Sequence, residues 1–203
     1  SFTVSVSDSE YTDSQSIMVT VNAVNDAPTA DAASGETAED QGVVISLSGN
    51  DIDGDNLTFS LDADATNGSV TLDGSLATYT PNANYNGDDS FTFSVSDGEF
   101  LASANVSVSV SAVNDAPVLT TVSDVSFDED GSGSTSLSGD DVDGDDLEFS
   151  ITGGTDITAT LDGSDISFSA PDNYNGSESF TVSVSDSEYT DSQSIMVTVN
   201  AVN

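Results

Sequence analysis

The chain has 203 residues, of which 37 are acidic and none is lysine, arginine or histidine, so its formal charge at pH 7 is −37. Nucleic acid and anionic membrane surfaces bind proteins through lysine and arginine, so neither is expected as a direct partner. Cysteine is also absent, which excludes a disulfide-stapled fold and a thiolate metal site.

The chain begins with a segment that returns unchanged near its other end. Residues Ser1 to Asn25 recur letter for letter as Ser179 to Asn203, 178 positions later. Within that distance the string Val-Asn-Asp-Ala-Pro occurs at 24–28 and at 113–117, 89 positions apart. Repetition at such a period indicates a tandem array of modules. We therefore predict a partial repeat at 1–25 and complete repeats at 26–114 and 115–203.

The partial repeat is predicted to supply the last two strands of a preceding module. Phe2, Val4 and Val6 alternate with threonine and serine, and the same alternation recurs over 17–21. Period two with β-branched and aromatic residues predicts half-buried strands. A lone hairpin is marginally stable in water, so we expect this one to be frayed or to be completed by a neighbouring molecule.

The first complete repeat contains about seven segments with the strand pattern, and the second follows the same plan. Seven short strands in about 90 residues, separated by frequent turn signals, predict an all-β fold of tandem immunoglobulin-like Greek-key β-sandwiches in an elongated array. No stretch has a helical period, and none is apolar over the length that spans a membrane, so no direct membrane insertion is expected. The predicted strands of the first repeat lie near 29–32, 43–47, 57–61, 69–72, 77–80, 90–95 and 105–110.

Two of the recurring acidic motifs are an aspartate-rich loop and a turn aspartate. The loop is Asp-x-Asp-Gly-Asp at 51–55 and again at 141–145. Alternate carboxylates on a short glycine-containing loop can direct several oxygens to one point, as calcium requires, although the loop is not an EF-hand. Its alternative is a plain polar loop with Asp-Gly turns. The second motif is Asp97, matched by Asp8 and Asp186, and its alternative is an ordinary turn residue.

Two further acidic motifs lie before strands or between modules. Glu-Asp at 39–40 recurs at 129–130 and precedes an apolar strand. Taken alone, this pair is equally compatible with a ligand and with a solvated loop. Asn-Asp-Ala-Pro at 25–28 recurs at 114–117, at the boundary between modules. Its alternative is a linker in which proline limits bending.

In this order, the motifs resemble those of the cadherin repeat, and more closely those of the bacterial cadherin-like repeats of giant RTX/VCBS-type surface adhesins. The Asn-Tyr-Asn-Gly strings at 84–87 and 173–176 strengthen the resemblance, which covers the whole chain. It implies that the modules are cadherin-like seven-stranded sandwiches and that Ca²⁺ is bound between consecutive modules. At the junction of the two complete modules it implies the ligands Glu39, Asn114, Asp115, Asp141, Asp143 and Asp186. At the junction with the partial repeat it implies Asn25, Asp26, Asp51, Asp53 and Asp97.

The linkers depart from the animal cadherin pattern. Ala23 and Ala112 stand where that pattern has its first linker aspartate, and the second linker asparagine is missing. Fewer ligands imply fewer ions than the three usual at an animal cadherin junction. They also imply weak binding, with a dissociation constant in the range of about 10⁻⁴ to 10⁻³ M that is typical of extracellular modules.

The function that follows is a calcium-rigidified spacer of a large extracellular adhesin, at the cell surface or secreted, that holds distal binding domains away from the cell. Its expected partners are calcium ions, neighbouring repeats of the same chain and copies of itself. One alternative is a self-associating or carbohydrate-binding adhesion or filament module, with the 1–25 hairpin as a strand donor. An enzyme would have to be a glycosidase, since only paired carboxylates are available. Repeated modules without a unique site argue against that class.

Overall fold

The computed structural model describes all 203 residues, which form β-strands and no helix, so the prediction of an all-β chain is confirmed. The chain divides into two compact units, Ser1–Ser111 and Ala112–Asn203. The first unit holds a hairpin and one sandwich, here called the first module. The second unit holds one sandwich, the second module. The repeat boundaries at 26–114 and 115–203 stay a prediction.

The hairpin at the start of the chain consists of strands β1 (Phe2–Ser7) and β2 (Thr12–Ile17), which pair antiparallel with Phe2 opposite Ile17. Every residue of both strands is exposed to solvent. The predicted hairpin is therefore present, and its apolar face belongs to neither hydrophobic core.

Nine strand segments form the first module, in two main sheets and one short pair. One sheet has the order β4-β11-β10-β7, in which β4 runs parallel to β11, and the other has the order β5-β9-β8. Strands β3 and β6 pair with each other. The segments are β3 (Thr29–Asp31), β4 (Ala33–Ala38), β5 (Val43–Ser46), β6 (Ser48–Asn50), β7 (Thr58–Ala63), β8 (Gly68–Asp73), β9 (Leu76–Pro81), β10 (Gly87–Ser96) and β11 (Leu101–Ser111).

Two of the seven predicted strands are each followed by a further segment that the pattern did not predict. The first predicted strand is β3, which belongs to the short pair. The chain then enters the four-stranded sheet as β4, a segment that the pattern did not predict. Strand β4 has no large apolar residue, and Gly35 within it allows a close approach. A Cβ atom at Gly35 would lie 2.6 Å from Cδ1 of Ile45. The second predicted strand is β5 followed by β6.

The core of the first module is built by the alternating apolar residues of the two main sheets. Phe91, Phe93 and Val95 of β10 are almost fully buried, and Phe93 stacks on Phe59 with ring centroids 6.2 Å apart. Tyr79 of β9 is also fully buried and packs in the same core. Full burial of one such side chain contributes about 1.5–3 kcal/mol, so this alternation accounts for the strand faces that pack together.

The second module repeats the plan. Its sheets have the orders β13-β20-β19-β16 and β14-β18-β17, with a short β12-β15 pair. Phe168 and Phe180 meet edge to face in its core, with ring centroids 5.3 Å apart. The segments are β12 (Val118–Leu119), β13 (Val125–Asp128), β14 (Ser132–Ser136), β15 (Gly139–Asp140), β16 (Glu148–Gly153), β17 (Thr158–Asp162), β18 (Asp165–Ser169), β19 (Gly176–Ser185) and β20 (Thr190–Asn200). None of the elements is a helix with the length and apolar character needed to cross a bilayer.

Candidate metal centre

In the first module, the linker that precedes β3 is hydrogen-bonded to two acidic groups of the same module. The side-chain amide of Asn25 donates to Oδ2 of Asp97 over 2.9 Å. The backbone N–H of Asp26 donates to Oδ2 of Asp53 over 2.7 Å. The structure therefore brings the linker, the Asp-x-Asp-Gly-Asp loop and the β10–β11 turn together at one end of the module.

The second module has the same two bonds at the corresponding positions. The amide of Asn114 donates to Oδ2 of Asp186 over 2.8 Å. The N–H of Asp115 donates to Oδ2 of Asp143 over 2.7 Å. Five predicted residues of each module thus gather at the end where the linker enters, since Asp51 and Asp141 lie in the same two loops.

The first aspartate of each loop shapes the turn. Oδ1 of Asp51 accepts the N–H of Asp53 over 2.9 Å and that of Asp55 over 3.3 Å. In the second module, Oδ1 of Asp141 accepts three N–H groups, from residues 143, 144 and 145, over 2.9, 3.1 and 3.3 Å. The glycines of the two loops have φ values of 80° and 78°, a left-handed conformation that glycine adopts without steric cost.

The second oxygen of the same aspartates has no such partner. Oδ2 of Asp51 and Oδ2 of Asp141 are both buried, and neither accepts a hydrogen bond. A buried carboxylate oxygen without a partner is costly, and no lysine, arginine or histidine exists in the chain to pair with it. The donor set around it consists of oxygens, which suits a hard cation such as Ca²⁺. The residues present therefore fit the metal that the resemblance implies.

A third aspartate joins this loop in the second module. Carboxylate oxygens of Asp141, Asp143 and Asp145 lie within 4.8 Å of one another. Two ligands on opposite sides of one calcium ion are separated by about 5 Å, because each Ca–O distance is about 2.3–2.6 Å, so this spacing accommodates one ion. Burial, together with the charges of Asp141, Asp143 and Asp186, raises the pKa of Asp145. Asp145 was missing from the predicted ligands, although the alternation of aspartates in the loop could have included it.

The turn aspartates stabilise their turns, which is the role that the sequence analysis gave as the alternative to metal binding. Oδ1 of Asp97 accepts the N–H groups of Phe100 and Glu99, each over 2.7 Å, and these bonds lower its pKa. Asp186 makes the same two bonds to residues 188 and 189 over 2.7 and 2.6 Å. Burial acts to raise the pKa of Asp186, but the bonds from Tyr189, Asn114 and Glu188 outweigh it, so the pKa is lowered. A metal-ligand role for Asp97 and Asp186 stays a prediction.

Glu39 lies at the other end of the first module. Its N–H donates to the carbonyl of Ser111, the last residue of β11, over 2.9 Å, and the residue is only 3% exposed. The Asp97 turn precedes the first residue of β11, and eleven strand residues span about 35 Å. Glu39 is therefore separated from the ligands predicted for its own module's linker. This agrees with its predicted assignment to the next junction, which stays a prediction.

The counterpart of Glu39 in the second module contacts the chain that leaves that module. The N–H of Glu129 donates to the carbonyl of Asn200 over 2.8 Å. Its Oε1 accepts the N–H of Val202 over 2.7 Å. Val202 belongs to the string Ala-Val-Asn, which also precedes Asp26 and Asp115 in the two linkers. A glutamate at this position thus binds the backbone of the Ala-Val-Asn string that follows β20.

Two other carboxylates, one in each module, stabilise loops. Asp89 accepts the N–H groups of Ser90, Asn67 and Thr66 over 2.8–3.1 Å, and the hydroxyl of Tyr79 over 3.0 Å. Burial acts to raise its pKa, but these bonds outweigh it and lower the pKa. At the corresponding position of the second module, Glu178 accepts N–H groups of residues 155–157 over 2.7–3.2 Å.

The family is decided by two matches, one to each module. The family model described as bacterial Ig domain matches residues 25–109 and again residues 114–198. The chain belongs to the bacterial Ig domain family. Its two bacterial Ig domains confirm the predicted tandem of immunoglobulin-like sandwiches.

Solved structures extend the similarity of these bacterial Ig domains to cadherin repeats. PcdhgB3 EC1-4 matches 95% of the chain and 54% of its own length with a TM-score of 0.64 and 15% identity. Human protocadherin-24 EC1-2 matches 88% of the chain and 100% of its own length with a TM-score of 0.56 and 19% identity. These two matches show a shared fold, so the predicted resemblance to bacterial cadherin-like repeats is confirmed at that level.

The chain spans only about a third of one further matched protein. An endo-fucoidan hydrolase from glycoside hydrolase family 107 matches with a TM-score of 0.38 and 23% identity, and the chain covers 34% of it. A TM-score this low carries no argument about the bacterial Ig domains. No curated protein matches the chain.

Proposed function

We propose that these bacterial Ig domains are structural repeats of an extracellular adhesin and that calcium bound at their junctions stiffens them. The observation that supports this most strongly is the buried Oδ2 of the first loop aspartate, which accepts no hydrogen bond in either module. The same arrangement at Asp51 and Asp141 indicates a feature that the repeat retains.

The charge of the chain supports a divalent cation as the missing partner. The chain has a formal charge of −37 and no basic side chain, so its carboxylates repel one another. Calcium neutralises several carboxylates at once and accepts six to eight oxygen ligands, including backbone carbonyls and water. Burial raises the pKa of Asp145, and so do the charges of Asp141 and Asp143. A bound cation would offset the repulsion between these carboxylates.

The connectivity of the chain supports a site at the junction. Ser111 accepts the N–H of Glu39, and Asn114 donates to Asp186. Only two residues separate Ser111 from Asn114, and three residues of extended chain span at most about 11 Å. In this proposal Glu39 joins Asn114, Asp115, Asp141, Asp143 and Asp186, with Asp145 as an added ligand, and the residues at 25, 26, 51, 53 and 97 serve the preceding junction.

The proposed consequence is mechanical. Without calcium, short linkers between strongly charged modules leave the modules free to reorient. With calcium, ligands from two modules and their linker share an ion, so the angle between modules is fixed and a distal binding domain is held away from the cell. A dissociation constant of about 10⁻⁴ to 10⁻³ M for calcium suits an extracellular location, where calcium is abundant.

Calorimetric titration with calcium tests the metal site. We expect Asp141→Asn to weaken binding by about tenfold or more, because it removes a charge and a ligand oxygen while the amide oxygen still accepts the N–H groups of the loop. The control is Asp162→Asn, which makes the same charge change at the exposed last residue of β17 in the same module. Equal calcium affinity in the two variants, or the absence of binding to the wild-type chain, would contradict the proposal.

A further inference from the structure

The two candidate metal loops differ in charge, although they share one plan. Both contain the Asp-x-Asp-Gly-Asp motif, and in both the first aspartate has a buried Oδ2 that accepts no hydrogen bond. The residues that flank the motif are Asn50 and Asn56 in the first module and Asp140 and Asp146 in the second. The loop of the second module therefore carries five carboxylates where the loop of the first carries three.

The backbone around these flanking positions is the same in both modules. Asp140 lies in β15 opposite Val118, and Asn50 lies in β6 opposite Thr29. All four flanking residues are exposed, so none of them is part of a core. The difference between the loops at these positions is thus one of charge and not of fold.

The surroundings of the two loops do not cancel this difference. Counted over the linker, the loop with its neighbours and the β10–β11 or β19–β20 turn, the second site has ten acidic residues and the first has seven. The segments compared are 114–120, 138–148 and 183–191 for the second site and 25–31, 48–58 and 94–102 for the first. A cation is therefore attracted more strongly to the second site.

The loop of the second module is also better arranged to hold an ion. Carboxylate oxygens of Asp141, Asp143 and Asp145 lie within 4.8 Å of one another, whereas the three aspartates of the first loop are not grouped this closely. Oδ1 of Asp141 accepts three N–H groups, and Oδ1 of Asp51 accepts two. Ligands that are already gathered lose less conformational freedom when the ion binds.

We propose that the two loops bind calcium with unequal affinity, and that Asp140 and Asp146 make the second loop the tighter one through their charge and not as ligands. The inference rests on the proposed calcium-binding function and names what sets the calcium concentration at which each site fills. A carboxylate next in sequence to a ligand lies within about 10 Å of the ion. At that distance and about 0.01 M salt, one such charge raises the affinity for a divalent ion about threefold, and two raise it about tenfold.

The consequence is that calcium stiffens the chain in steps. At an intermediate calcium concentration the second loop is occupied, and the linker bonded to Asp143 and Asp186 is held in place. The first loop fills only at a higher concentration, so the linker at Asn25 and Asp26 is held later. Stiffness then responds over a wider range of calcium concentration than a single class of site would give.

The test is a calcium titration of the isotope-labelled full chain followed by nuclear magnetic resonance. The amide signals of Gly54 and Gly144 report on each loop separately, because each glycine lies inside its own motif. In the wild type at about 0.01 M salt, we expect the midpoint of the Gly144 signal at a lower calcium concentration than that of Gly54. The opposite order would overturn the proposal.

Reciprocal exchange of the flanking residues isolates the effect of their charge. Asp140→Asn with Asp146→Asn should raise the midpoint of the second loop about tenfold and leave the first loop unchanged. Asn50→Asp with Asn56→Asp should lower the midpoint of the first loop about tenfold. At about 0.15 M salt each change should shrink to about twofold, since screening weakens a charge that does not touch the ion. A change that keeps its full size in salt would show that these residues are ligands and would contradict the proposal.

The matched control removes two exposed carboxylates from the other end of the second module, by Asp128→Asn with Asp172→Asn. Asp128 pairs with the last residue of β20, whose eleven residues span about 35 Å, so both midpoints should be almost unchanged. An equal effect of the control and the exchange would overturn the proposal. Equal midpoints that ignore the exchanges would overturn this inference alone, whereas no response of either loop to calcium would overturn the proposed function with it.

Discussion

Replacing Phe180 by alanine is expected to lower the free energy of unfolding of the second module by about 3–5 kcal/mol, the usual cost of removing a buried phenylalanine. Phe180 is almost fully buried and meets the ring of Phe168 edge to face, so its removal leaves a cavity and ends that contact. The same replacement at Phe2, in an identical sequence, should cost less than about 0.5 kcal/mol because the side chain is exposed.

Chemical unfolding of the two variants at low protein concentration measures this difference. Two modules can unfold in separate transitions, so the midpoint is assigned to each module rather than to the chain as a whole. Equal losses of stability for Phe2→Ala and Phe180→Ala would show that the hairpin is also packed in solution.

Removal of the Asp89 carboxylate is expected to destabilise the first module by about 2–4 kcal/mol. Asp89 is 9% exposed and accepts bonds from three backbone N–H groups and from the hydroxyl of Tyr79. Asp89→Ala leaves these donors without a protein partner, and each buried unsatisfied group costs about 1–3 kcal/mol, less where water can enter. Urea unfolding at pH 7 measures the loss.

The control for this prediction is Asp88→Ala, which removes a neighbouring exposed carboxylate, and its effect should be small. Acid provides a second check. Because the pKa of Asp89 is lowered in the folded state, its stabilisation is present above about pH 4 and is lost as the pH falls through the folded pKa. The difference between wild type and Asp89→Ala should therefore shrink below about pH 4. A difference that is constant with pH would mean that the charge of Asp89 is not what stabilises the loop.

The sandwich fold could be predicted because its strands alternate strictly. Phe91, Phe93 and Val95 show which face of β10 is buried, and the structure places all three in the core. Strand β4 could not be predicted in this way. Its residues are small or polar, and it is a strand because it pairs parallel with β11 at the edge of the sheet. That pairing depends on residues more than 70 positions away in the sequence.

The groups at the linker end of each module were predicted from the order of motifs, and the structure brings them together through bonds such as Asn114 to Asp186. The sequence could not indicate that one oxygen of Asp141 organises the loop while the other is buried without a bond. It also could not identify the shared role of Asp89 and Glu178. One module uses an aspartate and the other a glutamate for the same loop, so the residue type is not repeated.

The measurement that tests the calcium proposal most directly is small-angle scattering of the chain with and without calcium, beside the variant that carries both Asp141→Asn and Asp143→Asn. The account predicts that calcium lengthens the wild-type particle and narrows its range of conformations at constant mass. The double variant should keep the calcium-free profile. Identical wild-type profiles with and without calcium would contradict the account and leave the acidic loops as solvated turns.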